Sequence, residues 1–433
     1  ASAPNLLPHR HRTMAVSFSQ FAGGVRDETA FAVLAIAKRL KAAGKRVIEL
    51  EIGDSPFPST PAAKQAGHDA ITADQSHYAP SLGIPQMRAA GAEYVRKEHG
   101  IDAQTENVVV GPGAKVFELI FCEAFVDPGD DVLIFSPYFP TYIPNIQRRG
   151  GRIWTSDLKQ ANEFRPEAAE VERFLKNAPR PKAIFLNSPH NPTGGVAAES
   201  DLAAIADLIR GHDVAVLSDE PYDQMVWQGR HHSILAQPGM MEQCVAAYTF
   251  SKSYSMSGWR IGFAVSAKPI VEQFGRLLNT SLSCVSPIVQ LAAAAALTHD
   301  HAARTEQMGA FRGKLQTLIA GLNTIPGFHC LEPKSTFYAF PNVAEVCNRL
   351  EITSHGLALY LLEGADDAMG VACLGGECFG PAGGGFLRFS CAEPDDQLRA
   401  AVEFVRQAIT QKERVAKYLA AHPQHKLATA YAT

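Results

Sequence analysis

No stretch of the sequence is long and apolar enough to suggest a bilayer span. The apolar clusters F-A-V-L-A-I-A near residue 31 and L-A-A-A-A-A-L near residue 291 fall well short of the ~20 residues required. There is no basic surplus either: the formal net charge is −4, which argues against general attraction to nucleic acid. The cysteines lack C-x-x-C spacing. Cys122, Cys244, Cys284, Cys330, Cys347, Cys373, Cys378 and Cys391 are scattered, several in apolar runs, and no histidine cluster joins them. They read as reduced core thiols of a cytoplasmic protein, and no metal site is expected. The dinucleotide pattern G-x-G-x-x-G is missing, since Gly111 and Gly113 have no third glycine at the required place. The opening A-S-A-P-N-L-L-P-H-R-H-R-T lacks an apolar h-region and reads as an arm rather than a secretory signal.

What remains is a 433-residue chain, 46% hydrophobic and 19% charged, with room for a large core and two domains. Lys252 sits where the apolar run Val245 to Phe250 gives way to the hydroxyl-rich loop S-K-S-Y-S-M-S-G-W-R. Arg260 follows eight positions later, at the mouth of another apolar run, with no acidic residue between the two. A desolvated lysine favours its neutral, nucleophilic form, and a guanidinium presents a planar fork suited to phosphate. Together they point to a Schiff base with an aldehyde that carries a phosphate, which describes pyridoxal phosphate. Taken alone, Lys252 also reads as a solvated surface residue.

Other segments supply what such a group needs. N-V-V-V-G-P-G-A-K reads as a strand, a turn and the start of a helix from about Ala114 to Val126. Unpaired N–H groups at that helix start, with Lys115 in its first turn, form a natural phosphate seat. Phe139 falls just past the strand D-V-L-I-F-S, where an aromatic face can stack on a ring or simply pack in the core. Asn191, in N-S-P-H-N-P-T-G-G, can bond a phenolic oxygen or a substrate carboxylate. Asp219 ends the strand V-A-V-L-S-D; a carboxylate there calls for a cation, and a protonated pyridine nitrogen would serve. Tyr222 lies three positions on. Phe139, Asn191, Asp219, Lys252 and Arg260 come from successive βα units, so they can converge on one edge of a mostly parallel sheet.

In this order H-Y-A-P-S-L-G-I-P-Q-M-R-A-A, S-P-Y-F, N-S-P-H-N-P-T-G-G, S-D-E-P-Y, S-K-S-Y-S-M-S-G-W-R-I-G-F and R-F-S resemble the class I and II aminotransferases of pyridoxal phosphate fold type I, from about residue 27 to 410. The resemblance implies an α/β fold: a large domain with a mostly parallel sheet flanked by helices, and a smaller α+β domain formed by the N- and C-terminal segments. Expected divisions are an arm over 1–26, small-domain segment 27–60, large domain 61–320 and small domain 321–433. It further implies that Lys252 forms the Schiff base and carries the proton, and that Asp219 pairs the pyridinium nitrogen. Tyr222 and Asn191 would bond the phenolic oxygen, and Phe139 would stack on the ring. Gly113, Ala114, Lys115, Thr249, Ser251 and Arg260 would hold the phosphate, with Tyr78 reaching the partner's phosphate across a homodimer interface. Arg388, supported by Asn191, would clamp the substrate carboxylate, and Gly53 would close over the substrate.

The expected reaction is ping-pong transfer of an amino group from an L-amino acid to a 2-oxo acid. The alternatives are a carbon–sulfur lyase or cyclising synthase of the same fold and, further off, a cofactor-binding protein without catalysis. Two departures stand out. Thr280 occupies the place where one subgroup of aspartate aminotransferases has an arginine for the distal carboxylate. Gly375-Gly376 replaces the usual Pro-Gly. The side-chain pocket is expected around the loop after Gly53, Phe337, and the partner's Tyr78 and Thr280 regions. A second, mixed sheet is expected from S-T-F-Y-A-F and Phe386 to Ser390.

Overall fold

The computed structural model describes residues 16–25 and 28–432; most of the expected N-terminal arm lies outside them. Twelve strands occur among the described residues: β1 (Arg46–Glu49), β2 (Val108–Gly111), β3 (Asp131–Ser136), β4 (Arg152–Asp157), β5 (Pro181–Asn187), β6 (Ala215–Asp219), β7 (Cys244–Thr249), β8 (Gly262–Val265), β9 (Tyr338–Ala339), β10 (Met369–Ala372), β11 (Leu374–Gly375) and β12 (Leu387–Ser390). β2 to β8 form one sheet in the order β2-β8-β7-β6-β5-β3-β4. All neighbours are parallel except β8, which is antiparallel to both β2 and β7.

Period-two alternation makes this sheet the centre of a sandwich. Val132, Ile134, Phe185, Leu217 and Val245 enter the core on one face, while Leu133, Phe135, Ile184, Val216 and Ala246 enter the core on the other. Both faces are covered, as expected for strands that are nearly continuous apolar runs. Helices flank them, among them Pro85–His99, Lys115–Phe125 and Glu199–Ile209. The Pro85 helix begins on its proline and stops at Gly100, whose φ of 68° suits the left-handed end of a helix.

A separate core gathers residues from both chain ends, from Val33 to Leu50 and from Met308 to Tyr418, together with Tyr222 and Met225. The strands here divide differently from the single mixed sheet expected. β1 and β10 form a parallel pair, and β11-β12-β9 form an antiparallel trio. The parallel and antiparallel pairings thus sit in two small sheets. After the helix Lys412–Ala421, the chain turns back so that Tyr431 exchanges hydrogen bonds with Asn348 and donates to Glu377.

Candidate active site

The carboxyl ends of the central strands open onto a cavity of about 530 Å³. This is where ligands settle in open parallel sheets. Ala114, Lys115, Phe139, Asn191, Asp219, Tyr222, Thr249, Ser251, Lys252, Arg260, Arg388 and Gly53 all line it. Of the residues expected from the sequence, Gly113 adjoins the lining. Tyr78 is not part of the lining and is 91% exposed.

Lys252 follows β7, half-buried, with its Nζ 2.5 Å from the carbonyl oxygen of Gly53. The ring centres of Phe337 and Tyr222 lie 5.7 and 5.8 Å from the amine. Asp219 is buried at the end of β6 and accepts a 2.6 Å hydrogen bond from Tyr142 through Oδ2. Burial, with repulsion from Glu220, pushes its pKa up to about 6 against the pull of Tyr142, Lys115 and Lys252. Oδ1 takes no hydrogen bond among the described residues, which suits a carboxylate that receives a cation from the cavity.

The seat expected for a phosphate is framed by backbone. The helix Lys115–Phe125 has no side-chain cap, and among the described residues the N–H groups of Ala114 and Lys115 have no partner, which leaves them open to an anion. Arg260 frames the seat, donating to the carbonyls of Ser257 at 2.8 Å and Pro112 at 3.1 Å. Gly113 has a φ of 86°, and a Cβ there would fall 2.6 Å from Arg260 Nη2. Glycine is needed both for the turn and for the guanidinium's approach. Thr249 Oγ1 donates to Ser251 Oγ at 3.0 Å on the same rim. Lys115 turns aside: its Nζ pairs with Glu28 at 2.8 Å and stands 5.1 Å from the centre of the Phe139 ring.

Arg388 enters from β12. It donates to Asn191 Oδ1 at 3.0 Å and to the carbonyl of Glu51 at 2.6 Å, and lies between the rings of Tyr338 and Phe379. Its Nε is buried without a partner among the described residues. A chain of amides joins it to Asp219: Asn191 N–H donates to Asn187, which donates to the carbonyl of Asp219. Tyr222 Oη lies 3.1 Å from Tyr338 Oη.

The turn after β6 alternates in direction. Asp219 and Tyr222 face the cavity, while Glu220 and Asp223 enter a closed cage behind it. There His231 Nε2 lies 2.7 Å from Glu220, and His99 Nε2 lies 3.0 Å from Asp223. Ser218 and Ser233 donate to Glu220, and Tyr94 donates to Asp223. These partners hold both carboxyls below their ordinary pKa although burial opposes it. The residues that fix this turn, along with Tyr142, Tyr338 and Glu118, are additions to those expected from sequence.

The pieces fit pyridoxal phosphate: an amine, an uncapped helix start beside an arginine, a carboxylate with a free oxygen, and an arginine with an orphaned donor. Comparison with known proteins agrees. A profile described as "Aminotransferase class I and II" matches residues 45–405. An aspartate aminotransferase of Pyrococcus abyssi is 32% identical over 372 residues, covering 85% of this chain and 93% of that protein. Aromatic-amino-acid aminotransferase 2 of Thermococcus litoralis is 31% identical over 85% of this chain and 93% of its own. The solved structure of the Thermus thermophilus aspartate aminotransferase with maleate superposes with a TM-score of 0.84 at 30% identity, over 91% of this chain and 100% of that one. From the geometry and these likenesses together, the chain belongs to the class I and II aminotransferase family.

Proposed function

We propose that this aminotransferase works with pyridoxal phosphate, as a homodimer with shared active sites, moving an amino group from an L-amino acid to a 2-oxo acid in two half-reactions. The observation that carries the reading is the convergence of Lys252, Asp219, Arg260 and Arg388 on one cavity. When bound, the cofactor supplies an electron sink for the bond-breaking at the substrate's Cα. Lys252 would hold it covalently and, once released, move the proton from Cα with its Nζ. Asp219 would hold the positive ring nitrogen through Oδ1, and Tyr222 and Asn191 would bond the phenolic oxygen. Phe139 would stack on the ring. Gly113, Ala114, Thr249, Ser251 and Arg260 would seat the phosphate, with Lys115 adding positive charge and the partner's Tyr78 reaching it.

Arg388 would take the substrate's α-carboxylate on its unpartnered Nε and on donors now given to Glu51 and Asn191. Its planar fork matches a carboxylate. The Gly53 loop, lying against Lys252, would exclude water while the proton moves. The 91% exposure of Tyr78 supports a second copy there, since a meeting of two subunits would take this large aromatic out of water. The domain divisions at about residues 60 and 320 would let the small domain swing Arg388 over the cavity.

The test is the Lys252→Ala variant. The wild type is expected to bind pyridoxal phosphate with a visible absorbance; the variant should lose that absorbance and all transfer to 2-oxoglutarate or pyruvate. An unchanged spectrum would remove the reading. Pyridoxamine phosphate should accumulate when an amino acid is added alone; release of product without it would favour an eliminating enzyme instead.

A further inference from the structure

Glu118 sits in the apolar stretch V-F-E-L-I-F of the helix Lys115–Phe125 and is only 2% exposed, yet it lines the cavity. Through Oε2 it accepts from Thr141 Oγ1 at 2.6 Å and from Asn145 Nδ2 at 3.1 Å. Its Oε1 takes no hydrogen bond, and no cation is paired with it, among the described residues. Thr141 and Asn145 bracket Tyr142 at the start of the helix Tyr142–Arg148, and Tyr142 donates to Asp219. The contacts form a relay from Glu118, through that helix start, to the Asp219 carboxylate.

A carboxyl buried without a cation, beside a second carboxyl, favours its uncharged form. The ionisable groups facing Glu118 are Asp219 at the end of β6, Tyr142 on the helix Tyr142–Arg148, and Lys115 and Cys122 on its own helix. Burial first and Asp219 second push Glu118 up to about 8; Thr141, Lys115 and Asn145 oppose this and do not prevail.

We propose that Glu118 is a positioning residue of the cofactor bed: as an uncharged acid it ties the two helices together, sets Tyr142 against Asp219, and leaves Asp219 the sole carboxylate beneath the ring nitrogen. This rests on the function proposed above and adds a residue to it.

The experiment measures binding of pyridoxal phosphate to the full-length chain by its visible absorbance, across pH 5 to 9, in the wild type, Glu118→Gln and Glu118→Leu. Glutamine keeps the shape, the acceptor and the neutrality, so its affinity at pH 7 should stay within about twofold of wild type. Leucine frees the helix start; affinity should fall about tenfold, and the acid-side loss of binding should move to higher pH, because Asp219 keeps less of Tyr142. The double variant Thr141→Val/Asn145→Leu breaks the same relay from the other end and should move both readings the same way. It decides the matter if Glu118→Leu does not fold. Wild-type behaviour in both the leucine and the double variant would overturn the proposal, as would a glutamine variant as impaired as leucine, which would mean that an anion is required. Failure of the wild type itself to bind the cofactor would instead overturn the proposed function, and this inference with it.

Discussion

The carbonyl of Gly53 caps the amine of Lys252 at 2.5 Å, and the same glycine leaves no room for a side chain: a Cβ would fall 1.7 Å from Tyr338 Oη. Tyr338 cannot yield freely, because it stacks on Arg388 and lies 3.1 Å from the Tyr222 hydroxyl. Forcing a methyl into a filled site costs about 1–3 kcal/mol. Gly53→Ala should therefore lower kcat/KM by about 10- to 100-fold. Affinity for pyridoxal phosphate should change far less. Adding Tyr338→Phe, which removes the nearest atom, should recover part of the loss in steady-state kinetics.

Tyr142→Phe takes away the one side-chain donor to the Asp219 carboxylate among the described residues. Asp219 already has a raised pKa of about 6, and Tyr142 is the chief group restraining it. Without it, the acid holds its proton to higher pH, and a protonated acid cannot pair with a positive ring nitrogen. Cofactor affinity should then drop more at pH 6.5 than at pH 8.5, and a titration by absorbance at both values would reveal the difference.

Arg388→Lys keeps the charge and loses the fork. Two carbonyl-type oxygens and two aromatic rings are arranged around a planar group here. A point ammonium satisfies neither arrangement. Loss of a charge-assisted bond costs about 1.5–3 kcal/mol, so KM for the amino acid should rise about 10- to 150-fold. Cofactor absorbance should persist, which separates substrate binding from cofactor binding.

Glu220→Gln opens the cage behind the site. Breaking a buried pair by removing one partner costs about 3–5 kcal/mol, so the variant's melting temperature should fall clearly at neutral pH. Glu220 is held below its ordinary value of 4.5, so its contribution is present above that value and lost as pH falls. Wild type and variant should converge in melting temperature as acidification carries Glu220 through its depressed folded pKa. His99, whose pKa is raised despite burial because Asp223 and other carboxylates face it, adds a contribution lost in the opposite direction, as pH rises.

Much of this was readable from residues alone, for a physical reason. Lys252, Asp219, Phe139 and Asn191 each follow an apolar run, and strands that run in parallel deliver their ends to one edge whatever the loops do. Glu118 escaped because helical periodicity does not distinguish a face buried in core from one that floors a cavity. The direction of Lys115 depends on Glu28, 87 positions earlier, which no local pattern connects to it. Splitting of the small sheets was hidden for a similar cause, since β9 and β11 are two residues each and carry no period. The segment after residue 412 gave no motif, yet Tyr431 lodges against Asn348 and Glu377 through contacts that only the folded chain creates.

The burial of the thiols has a practical use. Six of the eight cysteines are buried, and only Cys284 and Cys378 are partly open. Cys284 lies against Ala79, next to the exposed Tyr78, where its Sγ is 3.4 Å from the Ala79 N–H. A thiol-reactive dye should thus register few equivalents on native enzyme and all eight once it melts. Slower labelling of residue 284 at higher protein concentration is the result expected of the proposed homodimer, without any engineered probe.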